Sequence, residues 1–99
     1  MKFPKFMNVF GLKVKLIISK DLPMNVAGQY EYGKELITLN NLHESDKELI
    51  HTLIHELSHA MFYRVSINQA ISFETNEFIC NNMATVILEN FDVKPKIRK

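Results

Sequence analysis

Ser45-Asp46-Lys47-Glu48-Leu49-Ile50-His51-Thr52-Leu53-Ile54-His55-Glu56-Leu57-Ser58-His59-Ala60-Met61-Phe62-Tyr63-Arg64 decides how this chain folds. Ser45 with Glu48 three residues on is a capping box, so a helix should start there and run to about Tyr63 or Arg64. At about 100° per residue, Leu49, Ile50, Leu53, Ile54, Leu57, Ala60 and Met61 form one apolar stripe. His55 and His59 fall off that stripe, about 40° apart around the axis and about one turn apart along it. Glu56 and Tyr63 lie beyond them on the same flank. The helix therefore packs with one face and presents His55-Glu56-Leu57-Ser58-His59 from another.

Two imidazoles at that spacing can reach one tetrahedral metal ion, and a glutamate beside the first can reach a water at the metal and act as general base. The pattern has only three fixed positions, so a third ligand decides whether it means anything. No histidine follows His59. A carboxylate from the next helix, expected from Ile71 or Ser72 to Asn90, must close the site. On that helical wheel Glu77 falls inside an apolar arc of Phe73, Ile79, Cys80, Met83, Ala84, Val86, Ile87 and Leu88. Glu74 sits at the edge of the arc and Glu89 outside it. A carboxylate in an apolar stripe is costly unless it is paired or binds a metal. Glu77 is thus the expected ligand and Glu74 the reserve. Asn81, one turn after Glu77, is the candidate to hydrogen-bond a ligand from behind. His51 shares the His55 face but lies about 12 Å from His59 along the axis, too far to share an ion. His43 reads as a loop residue and Cys80 as a small core residue.

Upstream, the chain reads as strands. Met1 to Phe10 is an irregular lead or short edge strand, ended by Gly11. Lys13 to Lys20 alternates and then turns apolar, and Asp21-Leu22-Pro23 is a turn. Val26 to Tyr32 and Glu35 to Asn40 form a hairpin about Gly33-Lys34, with Tyr30 and Tyr32 on one face. Downstream, Val65 to Ala70 is a connection, and residues 94–99 form a basic tail expected to be mobile. The expected fold class is α+β: a single domain over residues 1–99, with a small antiparallel or mixed sheet beside two main helices.

Composition narrows the function. A net charge of +1 gives no field suited to nucleic acid or an anionic membrane. No apolar run is long enough to span a bilayer. One cysteine cannot make an internal disulfide, and the N-terminus lacks the apolar region of a secretory leader, so the expected compartment is the cytoplasm.

His-Glu-x-x-His on one helix with Glu-x-x-x-Asn on the next, here His55 to His59 and Glu77-Phe78-Ile79-Cys80-Asn81, resembles the gluzincin metallopeptidases. The stretches Gly28-Gln29-Tyr30-Glu31-Tyr32 and Ile37-Thr38-Leu39-Asn40 look like the small sheet of the minigluzincin and ImmA/IrrE-like members. The resemblance covers roughly Val14 to Asn90, with Asn81 where the family usually has Asp. It implies Zn²⁺ between two helices, held by His55, His59 and Glu77, and peptide hydrolysis with Glu56 as general base. Tyr63 is the candidate to help stabilise the oxyanion. The peptide or protein substrate is expected along residues 36–40, taken as an exposed edge strand. The alternative is a non-catalytic zincin scaffold that binds a protein partner and uses zinc only for stability.

Overall fold

In a computed structural model the described residues are 2–41, 45–65 and 70–97. The expectations for His43, for residues 66–69 of the connection and for residues 98 and 99 of the tail lie outside them. Six elements follow in order: β1 (Phe6–Val9), β2 (Leu12–Ser19), β3 (Gly28–Glu31), β4 (Leu36–Asn40), α1 (Asp46–Arg64) and α2 (Phe73–Asn90). The domain is α+β, as the sequence implies.

Phe10 and Gly11 join β1 to β2 with both residues at positive φ, 51° and 84°, the backbone that matches the twist of a two-residue hairpin. β2 pairs antiparallel with β1 through its first half and parallel with β4 through its second half. β3 pairs antiparallel with β4, giving a mixed sheet in the order β1-β2-β4-β3. This corrects the expected place of residues 36–40. β4 is an interior strand with partners on both sides, and the edges are β1 and β3. Ile37, Thr38, Leu39 and Asn40 of this strand are all buried. The Asn40 amide donates to the carbonyls of Pro23 and Val26 at 3.1 and 3.0 Å, which ties down the connection between β2 and β3.

Ser45 caps α1 as predicted, its hydroxyl accepting the Glu48 N–H at 3.2 Å. Leu49, Leu53 and Ala60 of α1 pack on Val9, Val14, Leu16, Ile37 and Leu39 of the sheet. Burial of each Leu, Ile or Val side chain contributes about 1.5–3 kcal/mol. Thr52, Glu56, Ser58 and Phe62 are buried as well, because α1 is covered by the sheet on one side and by α2 on another.

α2 starts after its N-cap Ser72, whose hydroxyl accepts the Thr75 N–H, and it packs on α1 through the small residues Cys80 and Ala84. Its apolar arc is less buried than its sequence suggests: Phe73, Met83 and Val86 are exposed. The reason is position. α2 is the outer layer, with one helix beside it. No helix among the described residues is long and apolar enough to cross a membrane. Residues 93–96 of the tail run along Met7, Ile50, Leu53, Ile54 and Leu57, a different face of α1 from the one carrying His59 and Tyr63.

Candidate metal centre

His55 and His59 are held one turn apart by the mid-section of α1, where backbone hydrogen bonding is complete. Their Nε2 atoms lie 3.1 Å from each other and point toward α2. Glu77, in the second turn of α2, meets them there. Its Oε1 is 2.5 Å from His59 Nε2 and 3.4 Å from His55 Nε2. One ligand atom from each residue lies within 4.8 Å of the others, close enough to hold a metal ion. Tetrahedral coordination at about 2.0–2.1 Å places ligand atoms about 3.3 Å apart, near two of these three separations. The donor set of two imidazoles and one carboxylate also leaves room for a fourth, exchangeable position. Glu74 is exposed and takes no part in this group. Glu77 is less buried than its place in the apolar arc suggests. Its side chain is 42% exposed, because it faces an open cleft between α2 and β3.

The back of the site rests on a residue that the sequence reading did not single out. Asn76 is buried beside Glu77 and reaches His59 through Cys80. Its carboxamide oxygen accepts the Cys80 thiol at 3.3 Å, and the Cys80 sulfur lies 3.6 Å from His59 Nδ1. A proton kept on Nδ1 leaves the Nε2 lone pair facing Glu77 and His55, the tautomer a metal requires. Burial holds the His59 pKa down, reinforced by His55 and opposed by Glu77 and Asn76, so the ring is neutral and able to ligate. Asn81 does not serve this purpose: it is exposed, and Asn76 occupies the inward position. The sequence does not separate Asn76 from Asn81 as the residue behind the ligands, because both lie near Glu77 on one helix.

Cys80 is fully buried, as expected, and burial with the nearby Glu77 and Glu56 charges pushes its thiol up to about 12. It therefore stays protonated and packs. His51 stands outside the cluster. Thr85 Oγ1 donates to the Asn81 carbonyl and so receives His51 Nε2–H at 3.1 Å.

Glu56 lines the cleft together with His59, Glu77, Gly28, Gln29, Tyr30, Tyr63 and Phe73, around a space of about 260 Å³. Burial raises its pKa to about 7, with His55 opposing and Glu77 adding to the rise. A carboxyl so placed can take up and release a proton near neutral pH. Tyr63 stands at the cleft wall. Its ring stacks on Tyr32 with centroids 4.7 Å apart and tilts against Tyr30 at 5.7 Å. Its hydroxyl makes no hydrogen bond among the described residues. Tyr30 instead donates to Glu35 at 2.8 Å, and Arg64 at the end of α1 pairs with the same carboxylate. This lock holds the β3–β4 hairpin against α1 and fixes one wall of the cleft.

Comparison of the chain with family models, with curated proteins and with solved structures gives no match.

Proposed function

We propose that this protein is a zinc-dependent peptidase of gluzincin type, acting on peptide or protein substrates. The observation that carries the reading is the convergence of His55, His59 and Glu77 ligand atoms within 4.8 Å, from two helices, at the wall of a cleft that also holds Glu56. Two imidazoles and one carboxylate with an open fourth position suit zinc in a catalytic site, whereas structural zinc sites are usually closed by four protein ligands. Bound there, zinc acts as a Lewis acid that polarises a carbonyl and acidifies water.

The chain supplies the rest. Glu56 accepts a proton from water in the cleft and delivers it to the departing amine. Tyr63 offers a hydroxyl at the cleft wall to the developing oxyanion. β3, the edge strand beside the cleft, offers unpaired backbone groups to an extended peptide, the role that the sequence reading gave to residues 36–40.

The test combines elemental analysis with digestion of a peptide library read by mass spectrometry. Wild-type protein is expected to bind about one zinc per chain and to cleave peptides, with both lost on chelation or in Glu77→Ala but kept in Glu74→Ala. Glu56→Gln is expected to keep the zinc and lose cleavage by about 10²-fold or more. Tyr63→Phe, which keeps the ring stack, is expected to lower kcat with little change in KM. Zinc binding with no cleavage, or cleavage indifferent to Glu56→Gln, would sink the enzyme reading and leave a metal-stabilised binding scaffold.

A further inference from the structure

The net charge of +1 is unevenly distributed. Residues 1–20 hold Lys2, Lys5, Lys13, Lys15 and Lys20, and no aspartate or glutamate. All of these lysines are exposed, and among the described residues none forms an ion pair. The fold gathers them on the β1–β2 hairpin and its flanks, toward the edge of the sheet away from β3 and the cleft. Lys94 and Lys96 of the tail run beside Met7 of β1 and add to them. The field at a surface is set by charges within about a Debye length, about 8 Å at physiological salt. This edge is therefore basic, and the expectation drawn from the charge of the whole chain does not hold there.

The hairpin has a second feature, which packing does not explain. Its two-residue turn is Phe10-Gly11, with both residues at positive φ. Asn, Asp or Gly is the usual first residue of such a turn, because a bulky side chain at a φ of 51° is strained. Phe10 bears that strain without being buried, at 71% exposed. Leu12 beside it is 38% exposed. Val14 and Leu16 of β2 alternate inward onto α1, so Lys13, Lys15 and the 41% exposed Ile17 share the outer face of the sheet. The Lys13 amine lies over the Phe6 ring on that face, 4.7 Å from its centroid. α1 packs on the opposite face and α2 packs on α1, so neither helix covers this one.

We propose that the outer face of the β1–β2 hairpin docks on the surface of an anionic phospholipid bilayer. Phe10 and Leu12 enter the headgroup region, and Lys5, Lys13 and Lys15 meet the lipid phosphates. Both features of the hairpin point to this partner. Each lysine held near an anionic bilayer strengthens binding by about fivefold. An exposed aromatic ring flanked by lysines can bury itself at the boundary between headgroups and acyl chains. Single-stranded nucleic acid would also satisfy the lysines, but it binds along a groove lined with several stacking rings. Here one exposed ring stands at a convex turn beside a leucine, which suits insertion rather than stacking. The sheet order leaves the cleft beside β3 open, so this docking is independent of the metal reading.

Co-sedimentation of the full chain with vesicles tests this. The chain is expected to pellet with vesicles of equal parts phosphatidylserine and phosphatidylcholine and to stay in solution with phosphatidylcholine alone. Salt at about 1 M, where the Debye length is about 3 Å, is expected to release most of it. Lys13→Gln with Lys15→Gln is expected to weaken binding by about tenfold or more. Phe10→Asn is expected to weaken it by about tenfold while the urea midpoint holds or rises, because Asn accepts a positive φ. A Phe10 that served only the fold would show the reverse. Lys34→Gln, on the other hairpin and paired with Glu31, is expected to leave binding unchanged. No binding to anionic vesicles, equal binding to neutral ones, tighter binding of a single-stranded oligonucleotide, or binding indifferent to both hairpin variants overturns the proposal.

Discussion

Asn76 shows how much of a metal site lies behind its ligands. It is buried, its oxygen accepts the Cys80 thiol, and the Cys80 sulfur lies 3.6 Å from His59 Nδ1. Removing it frees the imidazole to rotate and to exchange tautomers, so the cost falls on metal affinity before it falls on folding. Asn76→Ala is expected to weaken zinc binding by about 10–100-fold in competition with a chromophoric chelator. Asn81→Ala, at an exposed position, is expected to leave it unchanged. Equal affinities in the two variants would remove Asn76 from the site.

Two contacts between elements set the cleft. β3 crosses close over α1 at Gly28, where an added Cβ would meet Thr52 Cγ2 at 2.6 Å and the Thr38 carbonyl at 3.1 Å. Gly28→Ala is therefore expected to cost about 1–3 kcal/mol in urea unfolding, with part recovered when Thr52→Ser is added. The second contact is the Glu35 lock. Burial works against the Glu35 charge, but hydrogen bonds from Tyr30, Arg64 and the Gly33 N–H prevail and hold its pKa below the ordinary 4.5. A depressed carboxyl stabilises the fold above its unfolded pKa and loses that contribution as pH falls through its folded value. In metal-free protein, the stability difference between wild type and Glu35→Gln is expected to be constant at neutral pH and to shrink below about pH 4.5. A difference independent of pH would show that the ionised carboxylate is not what holds the hairpin.

On the scale of the whole molecule, the candidate metal site depends on the fold. The three candidate ligands, from two helices, come together only when α2 docks on α1, so a metal ion held by them would bind the native chain far better than the unfolded one. Saturation at a thousand times the dissociation constant is worth about 4 kcal/mol. Zinc is expected to raise the melting temperature of wild type and of Glu56→Gln, and not that of Glu77→Ala. A rise of the same size in Glu77→Ala would place the metal elsewhere.

The sequence by itself determined what is local. The cap at Ser45, the helix it starts, the two histidines on one flank and the glutamate between them depend on spacing along a single helix. The wheel also set Glu77 before Glu74 as candidate ligand, since it separates a carboxylate within the apolar arc from one at its edge, although in the fold Glu77 faces an open cleft. Tertiary structure decided what depends on pairing. Side chains alternate along a strand in the same way whether it has one partner or two, so nothing within Leu36–Asn40 reveals that β4 lies between β2 and β3 and leaves β3 at the cleft. The preference for Asn76 over Asn81 has the same origin. Both lie near Glu77 on one helix, and only the angle at which α2 rests on α1 turns one toward His59 and the other toward solvent.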